Sequence, residues 1–371
     1  MTLQPTLHRR DMLRGGAAAL AATAWPGAAP ARAAFAPAPG AWRSFTMVTR
    51  LEIAEPQGRA QAWVPLPSVN EAAWFRSGPS TWTTNAATAE RWRDPVYGAE
   101  LLHVTWADDA AAPMVEVTSR IATRDRAVDL ASPAGAPALS AAERAFYLAP
   151  SDLIPTDGIV KETADRITAR ATGEVAKARA VYEWMVENTY RDANVRGCGI
   201  GDVAAMLASG KPSGKCADLN ALTVALARAA GLPARDLYGV RIAPSRFGYQ
   251  SLGARSEIVT TAQHCRAEVF LAGFGWVPID PADVRKVVLE EPPGHLAIGD
   301  AKVAAVRAAL FGAWEGNWLA YNVAHDLALP GSHGPKVGFL MYPQAETAAG
   351  RLDCLDADAF KYTIRSSEVA A

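Results

Sequence analysis

Apolar and polar positions alternate along the first third of the chain. In "SFTMVTRLEIA" and "RAQAWVPLP" short runs rich in Val, Thr, Phe and Trp are interrupted by "EPQG" and "PLPS", a period of two punctuated by turn residues. "ELLHVTWA" and "MVEVTSRIATRD" continue the alternation. The pattern predicts an antiparallel β-rich domain over residues 34–135. A stretch rich in Ala, Pro and Ser, "LASPAGAPALSAAERAFYLAPSDLIP", follows and predicts a linker over 136–157.

From Gly158 the period lengthens. "GEVAKARAVYEWMVENTY" sets Ala178, Val181, Trp184, Met185 and Asn188 on one helical face. "GDVAAMLASGK" reads as a short helix capped by Asp202 and stopped at Gly210. A longer apolar helix follows in "SGKCADLNALTVALARAAGLPAR", with Leu219, Leu222, Leu226 and Ala229 on its apolar face and Gly231 and Pro233 as stop signals. Ser213 is the expected N-cap. Strands then return in "RDLYGVRIA", "HCRAEVFL" and "GWVPIDPADV", the last two joined by the hairpin signal "AGFG". The succession predicts an α+β fold, a helix bearing a cysteine packed on an antiparallel sheet, with a β-rich N-terminal domain. The core spans 158–300, and an α/β extension follows over 301–371.

The extreme N-terminus departs from both periods. "HRRDMLRGGAAALAATAWPGAAPARAAF" has a basic start, an Ala-rich stretch and the small-residue pattern Ala31-Arg32-Ala33. This resembles a twin-arginine export signal over residues 1–33 and predicts a periplasmic or secreted protein. The stretch is too short, and too interrupted by Pro26 and Pro30, to span a bilayer. With 371 residues, 50% of them hydrophobic, the chain is long enough for two domains, and a formal net charge of −1 gives no electrostatic footprint for nucleic acid.

There are four cysteines, Cys198, Cys216, Cys265 and Cys354. In an oxidising compartment they could form disulfides, and their pairing stays open. A zinc site is disfavoured: no C-x-x-C pair exists, and His264 and Cys265 are adjacent, hence on opposite faces of a strand. Cys216 stands apart because it falls in the first turn of the predicted helix, beside Lys215. Helix N-terminus and ammonium both favour the thiolate. A thiolate nucleophile needs a base, and the base needs an orienting group. His264 opens one strand of the predicted hairpin and Asp280 ends the other. With a three-residue loop, even-numbered positions share a face, and Asp280 then lies opposite Arg266 or Glu268, within reach of His264. His325, in "YNVAHDLALP", is the rival base. Trp184 and Trp276 read as core aromatics.

Cys in "GKCADLNALTVALARAAGLPAR", His in "QHCRAEVFL" and Asp in "GWVPIDP", in that order, resemble the core motifs of the transglutaminase-like superfamily. The resemblance covers roughly Gly158 to Val288. It implies a papain-like core in which Cys216 is nucleophile, His264 base and Asp280 orienter, acting without cofactor or metal. It implies an exported amide or peptide hydrolase or acyltransferase working through a thioester. Its partner would be a peptide or protein, including cell-wall peptide. The contrasting reading is a non-catalytic binding or scaffold protein that keeps the fold. The long polar segment "SRFGYQSLGARSEIVTT" reads by composition as a lid.

Overall fold

The computed structural model describes residues 34–369 except 55, 57, 357 and 359; the predicted signal segment, 1–33, lies outside them. In chain order the main elements are strands β1 (Arg43–Ile53), β2 (Ala60–Leu66), β3 (Phe75–Thr84), β4 (Thr88–Arg93), β5 (Glu100–Trp106) and β6 (Met114–Thr123). Helices α1 (Ala141–Leu148), α2 (Gly158–Thr168), α3 (Glu174–Asn188), α4 (Val203–Ala208) and α5 (Cys216–Ala229) come next. Strands β7 (Ala234–Arg241), β8 (Gln263–Leu271) and β9 (Gly275–Ile279) follow, then helices α6 (Pro281–Glu290) and α7 (Ala301–Ala309). Strands β10 (Trp318–Asn322), β11 (Gln344–Thr347) and β12 (Phe360–Val369) complete the series.

The alternation of the N-terminal region is realised as two antiparallel sheets. β1 turns Phe45, Met47, Leu51 and Ile53 inward and its intervening residues outward, as a half-buried strand should. One sheet has the order β12-β1-β6-β3, and the other contains β11-β2-β5-β4. Each therefore takes a strand from the last thirty residues: β12 pairs with β1 over Ser44–Ile53, and β11 pairs with β2. Residues 301–371, expected as an extension of the core, thus supply strands to the sheets of the N-terminal region. The Ala/Pro/Ser-rich stretch holds α1, closed by a capping box between Ser140 and Glu143.

The central layer is the sheet β9-β8-β7-β10 with α5 against it. Helices α2, α3, α4 and α6 also pack on α5, so all its residues are buried, Asp218, Asn220, Thr223 and Arg228 included. A one-faced amphipathic pattern understates this burial, because neighbours enclose the helix on every side. Its polar residues survive by hydrogen bonding; Arg228, for example, donates to the carbonyls of Ala234 and Ala149. α3 buries Ala178, Val181 and Met185 as predicted, with Tyr182 and Val186, whereas Asn188 faces solvent. The face is rotated because the helix meets both α2 and α5. The segment read as a lid is pinned. Ser251 binds Glu291 through its N–H (3.0 Å) and hydroxyl (2.8 Å), the 3-10 turn Gln250–Leu252 is largely buried, and the Val259 N–H donates to Ile364.

Candidate active site

Cys216 is the first residue of α5, with Lys215 rather than Ser213 at the cap. Ser213 and Gly214 instead pair in parallel with Tyr190 and Arg191. The helix start is closed from within: the Asp218 carboxylate accepts the N–H of Lys215 (2.9 Å), and also those of Ile200 (3.0 Å) and Gly201 (2.9 Å). One buried carboxylate thereby holds the glycine-rich loop around Cys198 against the cysteine. Gly199 lies at φ 92°, and a Cβ there would run into the Asp218 carboxylate. Only glycine suits that backbone.

His264 lies at the start of β8 and Asp280 caps α6. The hairpin loop has the expected length, since Leu271 pairs with Gly275 and Ala267 with Ile279. Extending that register sets Asp280 across from Arg266. His264 Nε2 lies 2.7 Å from Asp280 Oδ2, while Asp280 Oδ1 accepts the N–H of Asp283 at 3.1 Å. Pro281 at the first helical position needs no N–H partner there and helps set the turn. With Nε2 committed to Asp280, Nδ1 is the nitrogen left for the thiol, and His264 favours the Cys216 thiolate. Sequence-predicted Cys216, His264 and Asp280 therefore converge, at 4%, 3% and 0% exposure.

Residues without a sequence signal complete the surroundings. Asp283 Oδ2 lies 3.4 Å from His264 Nε2, while its Oδ1 is paired with Arg241. Asn220, one turn below Cys216, donates to the Cys265 carbonyl (2.8 Å) and faces Asp280 Oδ1 (3.4 Å). Trp318 Nε1 donates to the His264 carbonyl (3.0 Å). Gly239 pairs directly with His264, and a Cβ on it would meet the Trp318 ring and the Leu319 carbonyl. Arg266 lies over Trp314 and Trp318, 5.2 and 4.8 Å from their ring centroids. "FGAWEGNW" therefore builds the wall behind the histidine.

All four cysteines are free thiols. The Cys198 thiol donates to the Gln263 carbonyl (3.4 Å), and the Cys265 thiol faces Met341 Sδ (3.9 Å). Interaction with Cys198 and then Cys265 pulls the Cys216 thiol well below its ordinary range; burial opposes this and His264 reinforces it. Burial and Arg241 push the His264 imidazole down, but Asp283 and Asp280 outweigh them and raise it to about 9. The electrostatics favour a thiolate–imidazolium pair at neutral pH. His264, Asp280 and Asp283 place three donor atoms within 4.8 Å of one another. The Arg241–Asp283 and His264–Asp280 pairs already occupy those oxygens, so the residues fit an ion-paired base better than a metal. His325, the rival base, is held by the Tyr238 hydroxyl at 3.2 Å and lies 3.6 Å from Asp236. Burial lowers it to about 3, so it stays neutral.

Comparison with known proteins agrees with the architecture. Residues 161–281 match the transglutaminase-like superfamily core. An uncharacterised protein of Haemophilus influenzae is 38% identical over 328 residues, covering 84% of this chain and 87% of that protein. The solved structure of a candidate cysteine protease from Cytophaga hutchinsonii shares the fold, with a TM-score of 0.50 at 14% identity over 88% of this chain and 99% of that one. The chain, with the Haemophilus influenzae protein as a relative along most of its length, belongs to the transglutaminase-like superfamily.

Proposed function

We propose that the protein is an exported cysteine hydrolase that cleaves a carboxamide or peptide bond, with acyl transfer to an amine as the other outcome at the same centre. The carrying observation is the 2.7 Å contact of His264 Nε2 with Asp280 Oδ2, together with Cys216 at the first position of α5, its thiol drawn down with a contribution from His264. Cys216 Sγ adds to the carbonyl carbon. The resulting oxyanion meets the Cys216 N–H, one of the first helix amides with no intrahelical acceptor. The imidazolium of His264 gives its proton to the departing amine, leaving a thioester at Sγ. Water, deprotonated by the now neutral imidazole, or an amine, then attacks the thioester and releases Cys216. Asp280 holds the ring and stabilises its charged form. A peptide or protein, including cell-wall peptide, is the substrate on this reading, and no cofactor is required.

The burial of Cys216, 4% exposed, favours the second reading, a binding protein that keeps the fold. Alkylation separates the two. Mass-spectrometric mapping of Cys216 modification against pH is expected to show a fast thiol with an inflection well below the ordinary ~8.5, moving upward and slowing in His264→Ala. A slow Cys216 indifferent to His264 sinks the catalytic reading.

A further inference from the structure

A cavity of about 720 Å3 is lined by β12 and by the segments that lead into α5 and β8, a size that suits a small-molecule or peptide ligand. Two of its lining residues, Lys215 and Gln263, immediately precede Cys216 and His264 in the chain; Cys216 and His264 themselves do not line it. Its charged lining is Arg50, Arg196, Lys215 and Lys361 against one carboxylate, Glu52. Glu52 is bound by Arg50 at 2.7 Å, and Arg196 is paired with Asp353. Lys215 and Lys361 have no carboxylate partner among the described residues. Two ammonium groups thus border the cavity outside any ion pair among the described residues, Lys361 directly across the ladder from Glu52.

The outer wall is β12. Its even-numbered backbone groups point away from β1: the Ile364 N–H donates to Thr260 Oγ1 (2.9 Å), the Ile364 carbonyl accepts from Val259 (2.8 Å), and the Ser366 N–H donates to the Glu257 carbonyl (2.8 Å). By the alternation of an antiparallel ladder, the N–H and C=O of Tyr362, which sits across from Leu51, face the same way. Tyr362 lines the cavity, and no partner for these two groups occurs among the described residues. The edge is covered at Ile364 and Ser366 and open at Tyr362.

We propose that this cavity selects acidic peptides. An extended segment adds to the open edge at Tyr362, taking that residue's N–H and C=O, and carries an Asp or Glu carboxylate to Lys215 and Lys361. Backbone pairing orients the segment and charge selects it. The inference rests on the reading of Cys216 as a centre for amide or peptide chemistry, and names the substrates that reach it.

The test uses the full chain carrying Cys216→Ala, so that binding is read without turnover. Fluorescence anisotropy compares a labelled peptide containing several Glu residues with its Gln counterpart. The Glu peptide is expected to bind roughly tenfold more tightly at low salt, with the advantage shrinking at high salt. Lys361→Gln should weaken it about fivefold, the upper range for a partly exposed ion pair. Lys336→Gln, whose lysine pairs with Asp152 elsewhere on the surface, should leave it unchanged. N-methylation of the peptide in one of its two alternating registers should also weaken binding. Equal binding of the two peptides, binding of neither, indifference to Lys361→Gln, or indifference to N-methylation in both registers overturns the proposal. Tighter binding of a charge-matched oligothymidylate through Lys361 also overturns it, in favour of a nucleic-acid ligand. None of these readouts uses the thiol, so a failed alkylation experiment and a failed binding experiment remain distinguishable.

Discussion

Asp280 serves two structures with its two oxygens. Oδ2 binds the imidazole and Oδ1 caps α6. Asp280→Asn keeps a competent cap but removes the charge that, with Asp283, raises His264. The α6 cap should therefore survive, the melting temperature falling modestly at neutral pH and changing little above about pH 9, where His264 has lost its proton, while amide hydrolysis falls by roughly a hundredfold or more, the scale of a lost acid–base contribution. A large drop in melting temperature with activity retained would refute this division of labour. The pH dependence follows from the same ring. His264 is raised to about 9, so its proton contributes stability that is complete below the unfolded value near 6.5 and is lost as pH rises through about 9. Hydrolysis should decline over that interval too, as the proton required by the leaving amine disappears. In Asp280→Asn the decline should begin at lower pH.

At the scale of elements, the site depends on close approaches that only glycine allows. Gly239→Ala would force the Trp318 ring or the β10 backbone away from β7, and with it the donor to the His264 carbonyl. Overpacking of this kind costs about 1–3 kcal/mol, and Cys216 alkylation should slow as the histidine shifts. Denaturant midpoints and alkylation rates measured together would test it; an unchanged rate would mean that Trp318 does not position the ring. The sheet is also tied to the N-terminal region by ions. Glu268, fully buried, binds Arg126 and Arg235, and Arg235 reaches Glu71 at 2.8 Å. Glu268→Ala would leave two buried guanidinium groups without their shared partner, a loss of roughly 3–5 kcal/mol. Chemical denaturation of the two proteins decides this, and a difference under about 1 kcal/mol would mean water satisfies the arginines.

At the scale of the whole molecule, the end of the chain closes what its beginning opens. β12 pairs with β1 along ten residues and buries Phe360 and Ile364. Removing residues 360–371 would bare the edge of β1 and take away one wall of the cavity, so the shortened protein should self-associate. Analytical ultracentrifugation checks this; a monomer as stable as the parent would contradict it.

The legible features were local ones. Alternation marked the N-terminal strands, Asp202 marked the cap of α4, and the odd loop of "AGFG" foretold that His264 and Asp280 share a face, because period and turn length act through neighbours in the chain. The start of α5 was misjudged at Ser213 because a carboxylate inside the helix, Asp218, does the capping. Asp283, Arg241, Asn220 and Trp318 carried no signal at all. Their importance arises from strands and helices brought together across long sequence separations, where nothing in the local pattern records the partner. The last seventy residues were opaque for a related reason: short strands such as β11 and the edge strand β12 draw their meaning from the strands they join. By itself the sequence determined the elements, the order of Cys216, His264 and Asp280, and the superfamily, because helical and strand periods and motif order are properties of the chain. Only the tertiary structure decided which groups tune the thiol and imidazole and where the cavity opens, because burial and Coulomb interactions depend on distance in space.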